Sequence, residues 1–478
     1  MADDEDPEAV GRKRRPVASL AGFDDPRPLH RVARSWPWAG WLIAAVVLLR
    51  LLAVAGMRLY IYVDSGEYDR IDFSGDWRRP WATPYLYWLI PGSARGLVVG
   101  QALVGALCWA TLALSAAAWF RLRTGRIVVA VALAALGCTT TVTNWDAAKL
   151  SESLGLSLTV LVIAAWLNLL RRTEVLTALF VAFATLPWLF VRQSLIPTAW
   201  LVVVLASVGA AVAWRRRPPA GRRAVRILAG LCLVLALETA VASATYSHNQ
   251  EIVQENLLVI VANRVATDPG RLEWFKDNGM PVPASGDLGP DALRSDPAFS
   301  DWVAHEGRST YVKYLLTHPW YTATAPLDDF AGVRRSSADE AAPSIAMLAP
   351  PDSYATSRPV LPDLAEQVLF GPGDTGMVIF LLVGVLGWTV TSFRRRSVRW
   401  VIPLSLIGLA VASLYAGWHG ATPKLGRLAL VGAVVLRIGL FLQLAFLVED
   451  VIVSRRGRSP GATASSADPV VPAGEHSP

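Results

Sequence analysis

Charge is scarce in this sequence of 478 residues: 17% of it is charged, against 53% that is hydrophobic. Apolar stretches of about 20 residues, the length that spans a bilayer as helix, recur along the chain, and so few charges interrupt them that they define an integral membrane protein. Cysteine is scarcer still. The three present, Cys108, Cys138 and Cys232, all fall inside apolar segments, so the external regions hold no disulfide framework and cysteine says nothing about compartment. Familiar signatures are missing too: the chain has no metal-ligand spacing, no Walker loop, no GxSxG elbow and no internal repeat. The formal net charge of +7 sits in short Arg clusters beside apolar segments, a pattern of membrane topology rather than of nucleic-acid binding.

The apolar runs predict an all-α membrane protein with about ten transmembrane helices, near residues 38–62, 96–120, 127–145, 150–170, 174–190, 194–214, 227–247, 376–393, 400–418 and 427–450. Arg12 to Arg15, Arg121/Arg123/Arg126, Arg171/Arg172, Arg215 to Arg226, Arg394 to Arg399 and Arg455 to Arg458 then fall in alternate connections. The positive-inside bias makes that side the cytoplasm. Residues 1–35, charged and Pro-containing, read as a cytoplasmic tail rather than a signal peptide, and 455–478, rich in Pro, Ala, Ser and Gly, as a second one. Between them lie a core at 36–247 with a first external loop at 63–95, an external domain at 248–375, and three closing helices at 376–454. Helical spacing within the external domain predicts helices at 249–266, 271–278 and 301–316, so this small domain is mainly helical.

Polar residues at the outer ends of the helices carry the functional reading, because a charge near or within a bilayer is costly and faces protein or water. Asp64, Glu67, Asp69, Asp72 and Asp76 crowd the first external loop together with Arg70, Arg78 and Arg79. Acids beside guanidiniums suit a polar phosphorylated substrate: a carboxylate accepts a proton from a hydroxyl, and Arg forks bind phosphate as a leaving group. An interfacial loop held by its own ion pairs is the structural alternative. From the same side enter Asp146, Lys149 and Glu152, then Arg192, then His419, Lys424 and Arg427. Glu152 also suits a helix N-terminus for reasons of the macrodipole alone. Arg50, Glu238 and Arg437 lie near the middle of their apolar segments and read as a buried charge network that fixes helix packing.

The stretch Asp64-Ser65-Gly66-Glu67-Tyr68, placed just after the first helix, resembles the catalytic-acid loop of the GT-C superfamily of polytopic glycosyltransferases. Arg78-Arg79-Pro80-Trp81-Ala82-Thr83-Pro84-Tyr85 is similar to the Arg/Pro/Tyr segment that follows in bacterial members, and Lys149-Leu150-Ser151-Glu152-Ser153-Leu154 to their Ser/Thr-Glu-x-Leu helix start. The likeness extends distantly to protein mannosyltransferases and aminoarabinose transferases. The last loop departs from that pattern. Where related sequences carry acids before an Arg-His pair, this one has His419-Gly420 and, further on, Arg427, and only those three carry over.

The resemblance implies a plasma-membrane enzyme, with both termini cytoplasmic, that takes a sugar from a polyprenyl-phosphate carrier on the outer face. Its implied acceptor is an extracytoplasmic glycan, lipid or protein of the cell envelope. Asp64 inherits the role of base, with Glu67 beside it in the catalytic loop, and Tyr68, Arg78, Arg79, Glu152, Arg192, His419 and Arg427 bind substrate. Such a displacement inverts the anomeric centre and requires neither metal nor organic cofactor. The lipid tail is expected in a groove between membrane helices. Two other classes remain open from the residues alone. A transporter or flippase for a lipid-linked or anionic solute also places charges inside a bundle, and a scaffold or sensor displays residues 248–375 without needing Asp64.

Overall fold

A computed structural model of the chain describes residues 36–456 except 62, 75–76, 78, 91, 217–221, 248–249, 284, 327–400 and 421–424; at some further positions, Asp64 and Arg427 among them, the backbone alone is described. Every regular element among the described residues is a helix. α1 (Pro37–Val54) starts on a proline, which the first turn accepts because the missing N–H has no helical partner there. Only Ala39, Val46, Arg50 and Val54 of α1 are buried, one stripe turned toward the bundle. A 3-10 turn, Val63–Tyr68, and a short helix α2 (Ala82–Leu89) lead to α3 (Ala94–Ala117), whose N-terminus is capped by Ser93 Oγ accepting from the Gly96 N–H at 2.9 Å.

α4 (Arg123–Gly137) breaks at Cys138–Thr139 into α5 (Thr140–Thr143) and a 3-10 turn, Asn144–Ala147, with a 50° bend. α6 (Ser151–Arg171) follows, then α7 (Val175–Leu189), α8 (Ile196–Arg216) and α9 (Arg222–Ser247). α3 and α6 pack together at the centre, with α1 and α4 against α3 and with α7 against α6. α6 is the most enclosed span, buried along nearly its whole length from Ser151 to Arg171. Helix association in lipid depends on packing and on satisfied polar groups rather than on a hydrophobic drive. The core accordingly mixes close-packed Ala102, Ala106, Ala113 and Ala116 of α3 with buried hydrogen bonds such as Asn168 Nδ2 to Ser115 Oγ at 2.8 Å.

The segment between α9 and α15, called the external segment after its expected position, forms α10 (Gln250–Ile260), a π turn (Val261–Val265), α11 (Pro269–Asp277), α12 (Pro290–Ser295), α13 (Pro297–Trp302), a second π turn (Val303–Gly307) and α14 (Arg308–Thr317). Asp268 and Asp296 cap α11 and α13 through backbone N–H groups of Arg271 and Phe299, each at 2.8 Å. These short helices close over their own apolar cluster, centred on Val261, Phe275, Leu293 and Phe299 and separate from the main core. α15 (Val401–Gly420) and α16 (Leu425–Arg456) complete the bundle as a tightly packed pair.

Among the described residues seven helices are long and apolar enough to cross a membrane, and eight if α4 and α5 with its 3-10 turn make one bent span. α7 is apolar but shorter, and the expected helix at 376–393 lies outside the described residues. Among the described residues the spans therefore number seven or eight against the expected ten, with 327–400 outside the comparison. The first helix is also shorter than the run at 38–62: it stops at Val54, and Gly56 at φ +80° turns the chain out of the helix. Tyr60 then pairs in parallel with Ala148, its N–H donating to Ala147 O at 2.7 Å and its carbonyl accepting from Lys149 N–H at 3.1 Å.

Candidate functional site

The end of the bundle that carries Tyr60, Lys149 and Arg192 gathers most of the polar residues singled out from the sequence. Its floor is an ion pair. Arg50 Nη2 donates to Asp146 Oδ2 at 2.6 Å and Arg50 Nη1 to Gly137 O at 2.5 Å, while Ser153 Oγ donates to Asp146 Oδ1 at 2.6 Å. Arg50 and Asp146 are 1% and 0% exposed, so charge and hydrogen bonds compensate each other inside the protein. The Gly137 carbonyl, at the α4–α5 break, receives the guanidinium, which helps the break to be tolerated. The three-residue network expected of Arg50, Glu238 and Arg437 is thereby corrected. Arg50 pairs with Asp146; among the described residues Glu238 Oε2 meets no hydrogen-bond partner; and Arg437 donates to Ala433 O, one turn back on its own helix.

Above this floor the first loop is tied to the start of α6. Ser65, fully buried, donates to Lys149 O at 3.0 Å, and Tyr68, also buried, approaches Ser151 Oγ with its hydroxyl at 3.3 Å. Tyr87 on α2 donates to Leu150 O at 2.5 Å, and burial holds its phenol well above the ordinary range, so that it remains a donor. Gln101 Nε2 donates to the carbonyls of Asp146 at 3.0 Å and Ala148 at 3.1 Å, supporting the same stretch from α3.

Two Arg–Glu pairs and one Lys–Asp pair sit on this platform. Arg79 Nε meets Glu67 Oε2 at 2.5 Å, and its guanidinium lies 5.3 Å from the centre of the Tyr68 ring, a cation–π distance. Lys149 Nζ pairs with Asp69. Arg192 Nη2 stands 3.6 Å from Glu152 Oε1, which is fully buried at the first turn of α6. Gly155 makes this approach feasible: a Cβ there would come within 3.3 Å of Arg192 Cδ. The two arginines share one rim, because Ala82 N–H donates to Phe190 O at 3.1 Å and Thr83 Oγ1 to Val191 O at 3.3 Å. Trp81 and Phe190 pack 5.3 Å apart beside them.

An open, largely apolar cavity of about 280 Å³ runs through the bundle below this rim. Thr159, Trp188 and Thr198 line it toward the site, and Leu170 and Val401 near the opposite end. Thr159 lies about two helical turns along α6 from Glu152, and Trp188 about one turn before Arg192. The buried Glu152–Arg192 pair therefore stands near the site end of an apolar groove between α6, α7, α8, α15 and α16.

His419 occupies a different position from the one expected. Its Nε2 faces Thr322 O at 3.1 Å, a pure acceptor, which assigns the ring proton to Nε2, and its Nδ1 is left to accept from Tyr311 O–H at 3.5 Å. Beside it, Arg264 donates to Trp418 O and lays its guanidinium 3.6 Å from the centre of the Trp418 ring. His419 thus belongs to the seam between the external helices and α15, although α15 also packs against the turn Gln193–Leu195 that follows Arg192.

The structure brings Glu67, Tyr68, Arg79, Glu152 and Arg192 to one rim. Asp64 enters that rim by its backbone, within the 3-10 turn Val63–Tyr68. The Asp64 and Arg427 side chains and all of Arg78 lie outside the described residues. Sequence reasoning missed Tyr87 and Gln101 and quoted Ser151 and Ser153 only within a helix-start motif, though all four hold the platform. A signal existed in the run of Thr and Asn residues at 139–144, too polar to continue an apolar span. Among the described residues no three His, Cys, Asp or Glu side chains are grouped to hold a metal ion. Fold and site together define a multi-pass helical membrane protein with a charged site at one end of its bundle. No protein-family model matches the chain, and no curated protein matches its sequence.

Proposed function

We propose that this protein is a membrane glycosyltransferase that moves a sugar from a polyprenyl-phosphate carrier to an extracytoplasmic acceptor in the cell envelope. The observation that supports it best is the juxtaposition of a buried, cation-bearing rim with a long apolar groove: Glu152 and Arg192 stand where a lipid tail in the groove would present its phosphate. An amphiphile with an anionic head and an apolar tail fits that arrangement; a soluble sugar nucleotide has no use for the groove.

In this scheme the acceptor O–H attacks the anomeric carbon as the carbon–oxygen bond to the lipid phosphate breaks. The proton passes to Asp64, and the phosphate leaves with the bond's electron pair. Arg192 and Arg79 neutralise that phosphate. Their acidic partners, Glu152 and Glu67, keep the guanidiniums in place before substrate arrives, a form of electrostatic preorganisation. Arg78 and Arg427 are further candidates for the phosphate, on sequence position. His419 acts at the seam with the external helices, which roof the site and select the acceptor.

The test is sugar transfer by purified protein in nanodiscs, with a panel of polyprenyl-phosphate donors and mixed envelope acceptors, comparing wild type with correctly folded Asp64→Asn and Arg192→Gln. Transfer by wild type and its loss in both variants is the expected result. Full transfer by Asp64→Asn removes Asp64 as base. The groove also favours a second reading, because it continues to Leu170 and Val401 near the opposite end, as a flippase path would. Carrier that crosses the bilayer with no sugar transferred from any donor would replace the transferase reading with that one.

A further inference from the structure

Among the described residues the external segment exposes its largest apolar side chains together: Leu316 is 76% exposed and Trp320 79%, with Val312 one turn earlier on α14 at 46%. Leu316 and Trp320 flank the break at His318, where α14 ends and a second helical stretch covers residues 319–326. The break is well built. Thr322 Oγ1 donates to Leu315 O at 2.7 Å, and the His318 ring stacks on Tyr314 at 4.1 Å. Large apolar groups held out by an ordered backbone mark a surface that meets something other than water.

The depth of this segment identifies what it meets. His419 Nε2 donates to Thr322 O at 3.1 Å, and Tyr415 O–H donates to Ala323 O at 2.7 Å. Tyr415 and His419 belong to the last turns of α15, a helix long and apolar enough to cross the membrane. Residues 319–326 are therefore fixed beside the terminal turns of a spanning helix, at the level where bilayer meets water. Trp is the side chain that favours that boundary, with an apolar ring and one polar N–H, and Arg308 on α14 is exposed on the same helix for headgroup phosphates.

We infer that Leu316 and Trp320 form an interfacial foot by which the external helices rest on the lipid surface of the leaflet at the site end. The foot would hold the external helices at a set height over the rim formed by Arg79 and Arg192. It stands on exposure and depth alone and is independent of the transferase reading.

Spin labels test this on the full chain in phosphatidylcholine/phosphatidylglycerol nanodiscs. Cys108, Cys138 and Cys232 are replaced by alanine, and single cysteines are introduced by Trp320→Cys and Leu316→Cys. Asp291→Cys serves as the water control, its native side chain being 99% exposed, and Leu233→Cys on α9, natively 72% exposed, as the lipid control. The expected result is a ratio of oxygen to nickel-chelate accessibility at 316 and 320 several-fold above that at 291 and approaching that at 233. A ratio equal to that at 291 overturns the foot, and strong spin–spin broadening between copies replaces it with an interface between two chains. Should the cysteine-free chain not fold, the unaltered protein is irradiated with a phospholipid carrying a diazirine near its glycerol. Adducts on residues 312–323 support the inference, and adducts confined to the spanning helices overturn it.

Discussion

Arg50 and Asp146 meet at 2.6 Å with both side chains essentially removed from solvent, joining α1 to the broken end of the α4–α5 span across 96 residues of sequence. A pair of this kind contributes little relative to an apolar replacement of both partners, but removing one partner strands the other charge in the core. Asp146→Leu is expected to destabilise the folded protein by about 3–5 kcal/mol, with Arg50→Met similar. The double variant Arg50→Met/Asp146→Leu is expected to recover most of that loss. Thermal unfolding of the four proteins in one detergent forms the cycle, and additive losses in the double variant would refute the coupling.

Gly105 on α3 faces that guanidinium. A Cβ at this position would lie 2.4 Å from Arg50 Nη2 and 2.6 Å from its Cζ, and the two hydrogen bonds to Asp146 and Gly137 leave the guanidinium nowhere to retreat. Gly105→Val is expected to cost about 1–3 kcal/mol by overpacking. The same change at Gly230 on α9, where a Cβ meets nothing within 4 Å, is expected to alter the midpoint of unfolding far less. Equal shifts at the two sites would show that helix propensity, rather than Arg50, sets the cost.

Arg192 stands over the groove with Glu152 behind it at 3.6 Å. If Arg192 neutralises a departing phosphate, Arg192→Ala is expected to lower transfer by about 10²–10³-fold, the effect of removing one preorganised donor. Glu152→Gln keeps the shape and removes the charge that orients Arg192, so a smaller fall is expected, carried mainly by kcat. Steady-state transfer assays on both variants separate these roles. An Arg192→Ala variant that transfers sugar at the wild-type rate would leave the guanidinium a structural part of the α6 start.

How far the sequence announced this architecture depends on the range over which its forces act. The spans near 96–120, 150–170, 194–214, 227–247 and 400–418 reappear as α3, α6, α8, α9 and α15, because an apolar run of that length carries its own signal. The run at 127–145 is two pieces in the structure, since its break depends on Arg50 reaching the Gly137 carbonyl from 87 residues away. Glu67 and Arg79 were legible as candidates within one loop. The partner of Arg50 was not, because a mid-span arginine finds its carboxylate by helix packing, which no local spacing records. The helices expected at 249–266 and 271–278 from helical spacing appear at 250–260 and 269–277, whereas the two π turns that continue α10 and α13 left no local mark.

Arg264 joins the external helices to α15 by a hydrogen bond to Trp418 O and a stacked contact at 3.6 Å. Arg264→Ala is expected to weaken that seam by about 0.5–2 kcal/mol from the cation–π contact alone. Hydrogen exchange is expected to rise in residues 261–326 and at the last turns of α15, with α3 and α6 unchanged. Faster exchange throughout α3 and α6 would mean that Arg264 supports the whole fold rather than one seam.

Asp72 organises the outer part of the first loop. Its Oδ1 accepts from Ser74 Oγ at 2.7 Å and Ser74 N–H at 3.0 Å, and its Oδ2 from Trp77 N–H at 2.8 Å. These bonds, that from the Ser74 hydroxyl first, hold the carboxyl below its ordinary value of 3.8. Because the folded value is the lower one, this contribution to loop order is complete above the ordinary carboxylate range and is lost as pH falls through the depressed value. The loop is therefore expected to be unchanged between pH 7 and pH 5 and to loosen only in stronger acid. Trp77 Nε1 donates to Glu67 O at 2.7 Å, so the loosening is expected to reach the Glu67–Arg79 pair. Hydrogen exchange of the Ser74 and Trp77 amides, corrected for the intrinsic effect of pH, measures it. Asp72→Ala is expected to show the loosened rates at every pH, and protection in that variant equal to wild type at pH 7 would remove Asp72 from this role.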